Sequence, residues 1–245
     1  MENDWLQRTE LLLGAPMLQR LKSAHVLVVG LGGVGAYAAE NICRAGIGEM
    51  TIVDADTVEN SNRNRQLLAL TTTLGQPKSE VMAQRLRQIN PEIKLHTVQE
   101  FIRDERTIEL LQQADYDYVV DAIDSLSPKV FLIYHALQQN LKLVSAMGAG
   151  GKMDPTTVKV ADIKDTYQCK LAQNVRKRLH RLGIRSGFKA VFSTEPVREG
   201  SIALSSEPEI NKLSTVGTIS YMPAVFGCVA ASVVVRDLCD NSCEA

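Results

Sequence analysis

An α/β fold with a doubly wound, mostly parallel sheet is predicted by three features of this sequence. Short apolar runs of strand length alternate with longer stretches of helical spacing. The first run leads directly into a glycine-rich turn, and an acid closes the second. Alternation of this kind implies parallel strands joined by right-handed helical crossovers.

Taken in order, an amphipathic N-terminal helix carries Arg8, and HVLVV at 25–29 reads as a first strand. Its continuous apolarity suits a parallel strand covered on both faces. The glycines of 30–35 then open a helix that runs to about Arg44, and MTIV at 50–53 is the second strand. Helical spacing over 79–89 stops at Asn90-Pro91, because the residue before a proline is pushed out of the helical region. A third strand at 93–98, a helix at 104–113, a fourth strand at 118–122, a helix at 128–139 and a fifth strand at 141–146 complete the alternation. The character changes after Gly148. GAGGKMDPT is punctuated by glycine and proline and reads as a loop. Residues 157–163 alternate as a strand that extends the sheet antiparallel. A basic helical stretch and a short strand at 190–193 follow, and the polar run 205–214 is expected to be mobile.

Composition limits the function. Lys+Arg 27 against Asp+Glu 28 gives a net charge of −1, which excludes a generic polyanion binder and requires any RNA affinity to come from a local patch. The N-terminus lacks the basic start and apolar run of a signal peptide, so a cytoplasmic location is expected. Cysteines at 43, 169, 228, 239 and 243 form no C-x-x-C pair, which argues against a zinc ribbon and a disulfide framework. Residues 216–235 carry no charge and are long enough to span a bilayer. Gly217, Thr218, Ser220, Pro223, Gly227 and Ser232 lower the apolarity, however, and Pro223 would interrupt a spanning helix. A core or dimer-interface helix is expected, with membrane attachment as the lesser alternative.

Gly30, Gly32, Gly33 and Gly35 let the backbone approach a phosphate, and the following helix N-terminus supplies oriented N–H groups. Asp54 closes the second strand nineteen residues beyond Gly35, where a carboxylate can accept from ribose hydroxyls. This Rossmann-like arrangement also serves NAD-dependent dehydrogenases, and a packing turn without a ligand is a further alternative. The next segment distinguishes them. DADTVENSNRNRQ places Asp54, Asp56, Arg63 and Arg65 in one loop, and GQPK puts Lys78 at the start of a helix. Such cations suit a triphosphate, because attack at an α-phosphorus builds charge on its oxygens and on the departing pyrophosphate. Singly, each of Arg63, Arg65 and Lys78 could equally belong to a salt-bridged surface loop. Asp124 lies just beyond the fourth strand, at the edge where open parallel sheets bind ligands. Capping the helix near Pro128 is its other reading.

DADTVENSNRNRQ, GQPK and Asp121-Ala-Ile-Asp124 resemble the ubiquitin-activating-enzyme-like superfamily over about residues 5–150. The resemblance implies an ATP-dependent adenylating enzyme of the ligase class. It implies Asp54 on the ribose with Asp56 beside it, and Asn62, Arg65 and Lys78 at the phosphates. Asp124 would hold Mg²⁺ and act in catalysis with Arg65 and Lys78. Arg8 matches the position of an arginine finger donated by the partner subunit, which implies a homodimer. An ordinary place on the N-terminal helix is the alternative.

The C-terminal third narrows the substrate. Activators of sulfur-carrier proteins hold a structural zinc with C-x-x-C pairs, which this chain lacks. GAGGKMDPTTVKVADI, the basic stretch and AVFSTEPV instead resemble the tRNA threonylcarbamoyladenosine dehydratase family. The implied reaction activates the threonyl carboxylate of the modified adenosine with ATP. The neighbouring carbamoyl group then displaces AMP, closing a five-membered ring with net loss of water. The implied cofactors are ATP and Mg²⁺ with no structural zinc, and a monovalent cation is left open. The implied partner is tRNA, with a cysteine-desulfurase or sulfur-acceptor system left open. One adenylating domain over 1–245 is expected: a nucleotide-binding core at 25–150, a crossover and substrate region at 151–215, and a C-terminal helix at 216–240. Two alternatives stand beside this reading. One is activation of the C-terminal Gly-Gly of a sulfur-carrier or ubiquitin-like protein, the other a catalytically silent nucleotide-binding scaffold.

Local charge supports an RNA partner independently. Between Thr166 and Thr194 there is no acid, while Lys170, Arg176, Lys177, Arg178, Arg181, Arg185 and Lys189 accumulate with His180. The first six are the predicted RNA contacts, and a solvated helix face is the competing explanation. Tyr167 and Phe188 flank the run as candidates for stacking or packing. Cys169 has Lys170 beside it to favour a thiolate, yet ring closure needs no enzyme nucleophile. His25, His96 and His135 sit in or beside secondary elements and are expected to be structural.

Overall fold

The computed structural model describes residues 4–209 and 212–240. In chain order the helices and strands are α1 (Gln7–Leu13), α2 (Ala15–Ser23), β1 (His25–Val29), α3 (Gly35–Arg44), β2 (Glu49–Val53), α4 (Lys78–Ile89), β3 (Lys94–Val98) and α5 (Glu105–Gln112). They continue as β4 (Tyr118–Asp121), α6 (Leu126–Gln138), β5 (Leu143–Ala146), β6 (Val158–Asp162), α7 (Lys170–Arg181), β7 (Lys189–Ser193), β8 (Ile202–Glu209), β9 (Lys212–Val216) and α8 (Tyr221–Cys239).

Seven strands form one sheet in the order β3-β2-β1-β4-β5-β7-β6. All neighbours run parallel except β6, which lies antiparallel on β7. Strand order reverses between β1 and β4, so the loops leaving those two strands part and open a crevice at the carboxyl edge. Register sets what lines it. Val29 of β1 lies beside Val53 of β2 and Asp121 of β4, which brings Gly30, Asp54 and Ala122 to one level.

The apolar run of β1 is explained by its two faces. Val26 and Val28 pack with Ile52, Ala38, Ile42, Met82, Phe226 and Ala230 on the α3, α4 and α8 side. Leu27 and Val29 pack with Val53, Leu110, Ile133, Val175 and Phe192 on the α5, α6 and α7 side. Every residue of β1 is buried, so neither face can tolerate alternation with polar residues.

α8 is long and apolar enough to cross a bilayer, but Met222, Phe226, Ala230, Ala231, Val233 and Val234 are buried against the sheet and α3. At Gly227 a Cβ would fall 2.4 Å from the Val34 carbonyl oxygen, so α8 approaches the start of α3 more closely than a side chain allows. Three sequence expectations meet the structure here. The helix starts at Tyr221 rather than 216, because β9 runs through Val216. Pro223 does not interrupt it, since it sits in the first turn, where a backbone N–H has no helical acceptor to lose. The run 205–214, read as polar and mobile, falls largely in an antiparallel hairpin of β8 and β9 separate from the main sheet. Residues 210 and 211 lie outside the described residues.

Candidate functional site

The glycine turn is shaped by contacts to the strand ends. Gly30 has φ 92° and its N–H donates to Val53 O at 2.8 Å; a Cβ there would lie 2.8 Å from Ala122 O. At Gly35 a Cβ would fall 1.7 Å from Gly30 O, so the turn closes on itself only without a side chain. Gly33 faces Pro223 of α8 and Gly32 faces the Gln66 amide. The four motif glycines therefore join β1, β4 and α8 at the mouth of the crevice.

Asp54 ties this turn to the loop after β2. One carboxylate oxygen accepts the Leu31 N–H at 2.6 Å and the other the Asp56 N–H at 2.8 Å. Burial pushes its carboxyl above the usual range, with Lys78 and the two N–H groups pulling the other way. Lys78 is the first residue of α4 and is buried, and its Nζ lies 2.8 Å from Asp56 Oδ2. Asp56 is exposed, so the lysine is held at the rim by an acid that can swing away. Asn62 is buried, taking the Glu59 N–H on Oδ1 at 3.2 Å. Arg65 is half-buried and donates to Ser61 O at 3.0 Å and Asn64 Oδ1 at 2.8 Å. Arg63 is exposed and bonded to Asn60.

Asp124 is exposed in the loop between β4 and α6, with Ser125 Oγ donating to it at 3.3 Å. α6 begins at Leu126, two residues before Pro128, and Ser125 occupies the capping position. Beneath this loop lies a group that sequence reasoning missed. Asp121 and Lys129 form an ion pair at 2.6 Å with both side chains fully buried. Ser145 Oγ donates to Asp121 Oδ2 and accepts from Lys129 Nζ at 3.2 Å, while Asp121 Oδ1 takes the Ile123 N–H at 3.1 Å. The pair thus braces the turn that carries Asp124. A lysine inside LSPKVFLIYHALQ was the available signal. A second missed residue is Gln66, whose buried Oε1 has no hydrogen-bond partner and whose amide lies beside Gly32.

The loop after β5 closes through Lys152, which is buried, donates to Glu195 O, and has its ammonium pushed down by burial. Cys169 is buried as well, 7% exposed, and therefore withheld from solvent.

The predicted RNA contacts divide. α7 turns Ala172, Val175 and Leu179 inward, and Lys170, Lys177, Arg178, Arg181 and Arg185 are exposed. Arg176 differs from the expectation. It is half-buried beside Val175 and donates to Thr166 O at 2.8 Å and to Thr166 Oγ1, latching the loop before α7. Arg178 reaches Ser127 Oγ at 2.7 Å, which docks the basic helix at the start of α6, three residues along from Asp124. Lys189 pairs with Asp237. Phe188 is buried and packs, whereas Tyr167 is half exposed, with Lys159 Nζ 3.0 Å from its hydroxyl. Arg8 is exposed on α1, where Leu11 and Leu12 are 82% and 83% exposed.

A glycine turn, an acid at the end of β2 and a cation-rimmed crevice on a doubly wound sheet place the chain in the class of nucleotide-binding α/β proteins. The chain belongs to the ThiF family, whose sequence profile matches residues 6–244. It is 39% identical to a tRNA threonylcarbamoyladenosine dehydratase of Escherichia coli (strain K12) over 96% of this chain and 94% of that protein. The crystal structure of the E. coli tRNA N6-threonylcarbamoyladenosine dehydratase TcdA in complex with ATP superposes with a TM-score of 0.87 at 37% identity, covering 96% of this chain and 94% of that one. Similarity to the sulfur carrier protein ThiS adenylyltransferase of E. coli (strain K12) is 36% over only 55% of this chain and 54% of that protein.

Proposed function

We propose that this chain is an ATP-dependent tRNA threonylcarbamoyladenosine dehydratase. The supporting observation is the extent of the similarity: the dehydratase match runs through 96% of the chain, while the sulfur-carrier activator match covers 55%.

In this reading ATP lies along the carboxyl edge. The glycine turn receives the phosphates, and Asp54, with both oxygens already fixed by N–H donors, accepts from the ribose. Gln66 Oε1 offers a further buried acceptor at the same turn. Lys78 and Arg65, with Asn62 three residues before Arg65, face the β and γ phosphates, and Lys78 exchanges Asp56 for phosphate oxygen. An oxygen of the threonyl carboxylate attacks the α-phosphorus, the bond to the β-phosphate oxygen breaks, and pyrophosphate leaves with its charge held by these cations. The carbamoyl group then attacks the activated carbonyl carbon. The bond to AMP breaks, and the carbamoyl nitrogen gives up a proton as the ring closes. Asp124 would hold Mg²⁺, since one carboxylate with phosphate and water oxygens suits its hard octahedral demand; the ion would supply charge neutralisation at the polyphosphate. Arg8 acts from the second subunit of a homodimer, and exposed Leu11 and Leu12 suit burial there. Lys170, Lys177, Arg178, Arg181 and Arg185 meet tRNA phosphates. A cytoplasmic location follows from that substrate.

The test is mass spectrometry of tRNA nucleosides made by the purified protein from ATP and tRNA carrying threonylcarbamoyladenosine. The expected product is one water lighter, with AMP formed alongside. Pyrophosphate exchange stimulated by a protein with a Gly-Gly tail and not by tRNA would overturn the assignment.

A further inference from the structure

At the opposite, amino-terminal edge of the sheet, register brings three potential ligands onto one face of three adjacent strands. His25 opens β1 opposite Glu49, the first residue of β2, and His96 of β3 lies opposite Thr51, two residues along from Glu49. Side chains two apart in a strand share a face. Glu49 Oε1 is 2.8 Å from His96 Nε2 and 3.7 Å from His25 Nδ1, and all three ligand atoms lie within 4.8 Å of one another.

We propose that His25, Glu49 and His96 bind a zinc-type divalent transition-metal ion, with a fourth position open to water. Two imidazole nitrogens and one carboxylate oxygen are a donor set for such ions and not for magnesium or calcium, which take oxygen. Ligands at tetrahedral zinc lie roughly 3.3 Å apart. The two observed separations from Glu49 bracket that value, so small side-chain rotations close the site. A second ring of contacts is already built. His25 Nε2 is 2.9 Å from Thr51 Oγ1, and donation to that hydroxyl leaves Nδ1 with its lone pair facing Glu49. The Tyr116 ring lies 4.7 Å from the His25 ring and packs against the imidazole. The Asp117 carboxylate takes the His25 backbone N–H at 2.7 Å and adds negative charge. Lys94 Nζ stands 4.0 Å from the other Glu49 oxygen on a side chain 77% exposed, so an incoming cation displaces it into water. The open position faces solvent, because the His96 side chain is 56% exposed. The absence of C-x-x-C pairs excludes a cysteine-rich zinc site and leaves this one untouched. An ion here would pin β1, β2 and β3 together at the edge away from Asp54 and Asp124.

The experiment titrates nucleotide-free, magnesium-free protein with cobalt(II) chloride, followed by zinc chloride in competition. One equivalent of cobalt is expected to give visible d–d bands without a thiolate charge-transfer band, and zinc is expected to abolish them. Thr51→Val is expected to weaken binding about 10–100-fold by removing the partner of His25. Glu49→Gln and His96→Ala, on half-exposed and exposed side chains, should each weaken it further while AMP formation is unchanged. His25 is buried and is therefore tested through these partners. No saturable cobalt band, a thiolate-type spectrum, or bands indifferent to Glu49→Gln and His96→Ala would each overturn the site.

Discussion

Replacing Lys129 by Met tests how the Asp124 loop is supported. The Asp121 and Lys129 side chains are fully buried 2.6 Å apart. Removing the cation leaves a carboxylate beside the Ser145 hydroxyl and the Ile123 N–H, two neutral donors in place of a full charge. Breaking a buried pair from one side costs about 3–5 kcal/mol, because the surviving charge is neither solvated nor compensated. Against a total stability of about 5–15 kcal/mol, that loss is large enough to read directly from urea unfolding. The companion variant Asp121→Asn/Lys129→Met removes both charges and keeps an amide oxygen for the Ile123 N–H. It is expected to recover most of the loss, since neutral replacement of a buried pair is often close to neutral in stability. If Lys129→Met shifts stability by less than about 1 kcal/mol, or if the double variant is no better than the single, the pair is not the buried brace described above.

Within the nucleotide site, Asp124→Ala is expected to abolish AMP formation with the unfolding midpoint unchanged, whereas Lys78→Ala and Arg65→Ala should each slow it by at least about 100-fold. Near-normal rates would return these side chains to the surface. Mixing Arg8→Ala with Asp124→Ala subunits should regenerate one intact site per heterodimer, so failure of every mixture to recover activity under subunit exchange would remove Arg8 from the partner's site. Changing Lys177, Arg181 and Arg185 together to Ala should flatten the log–log salt dependence of tRNA affinity by somewhat under about one unit per lost phosphate contact, with ATP affinity unaltered. Parallel slopes would take α7 out of the RNA interface. Arg176→Ala is expected to act instead as a loss of stability, through the Thr166 latch.

How much of this was legible beforehand depends on whether the signal was local. HVLVV, MTIV and YVVDA declared themselves as strands because covered parallel strands cannot alternate, and their order along the chain fixed the handed crossovers. The glycine turn and Asp54 were legible because one strand end, one turn and one acid occupy neighbouring stretches. The Asp121–Lys129 pair was not, since nothing in either residue's own segment announces that a helix one turn in will set its lysine over a strand's last acid. Arg176 failed for a related reason. Its charge was visible, but only the phase of α7 on the sheet decides that it lies beside buried Val175 instead of facing water. Pro223 was misjudged because a proline's effect depends on its distance from the helix start, and that start was set by β9. His25, Glu49 and His96 are spread over some seventy residues and meet only through strand register.

The seat of the glycine turn on α8 has a consequence for biosynthesis. Gly33 packs on Pro223, and the start of α3 rests against Gly227, so the turn is backed by residues that follow every other described element along the chain. A ribosome adds those residues after β1 to β9, at about 5–20 per second, so the 19 residues of α8 occupy roughly 1–4 seconds of translation. Until they emerge, the nascent sheet has a phosphate turn with water in place of its backing. On the proposal that this turn receives the phosphates of ATP, a stalled product lacking α8 is expected to be poorly retained on an ATP resin even with all of β1 to β7 complete.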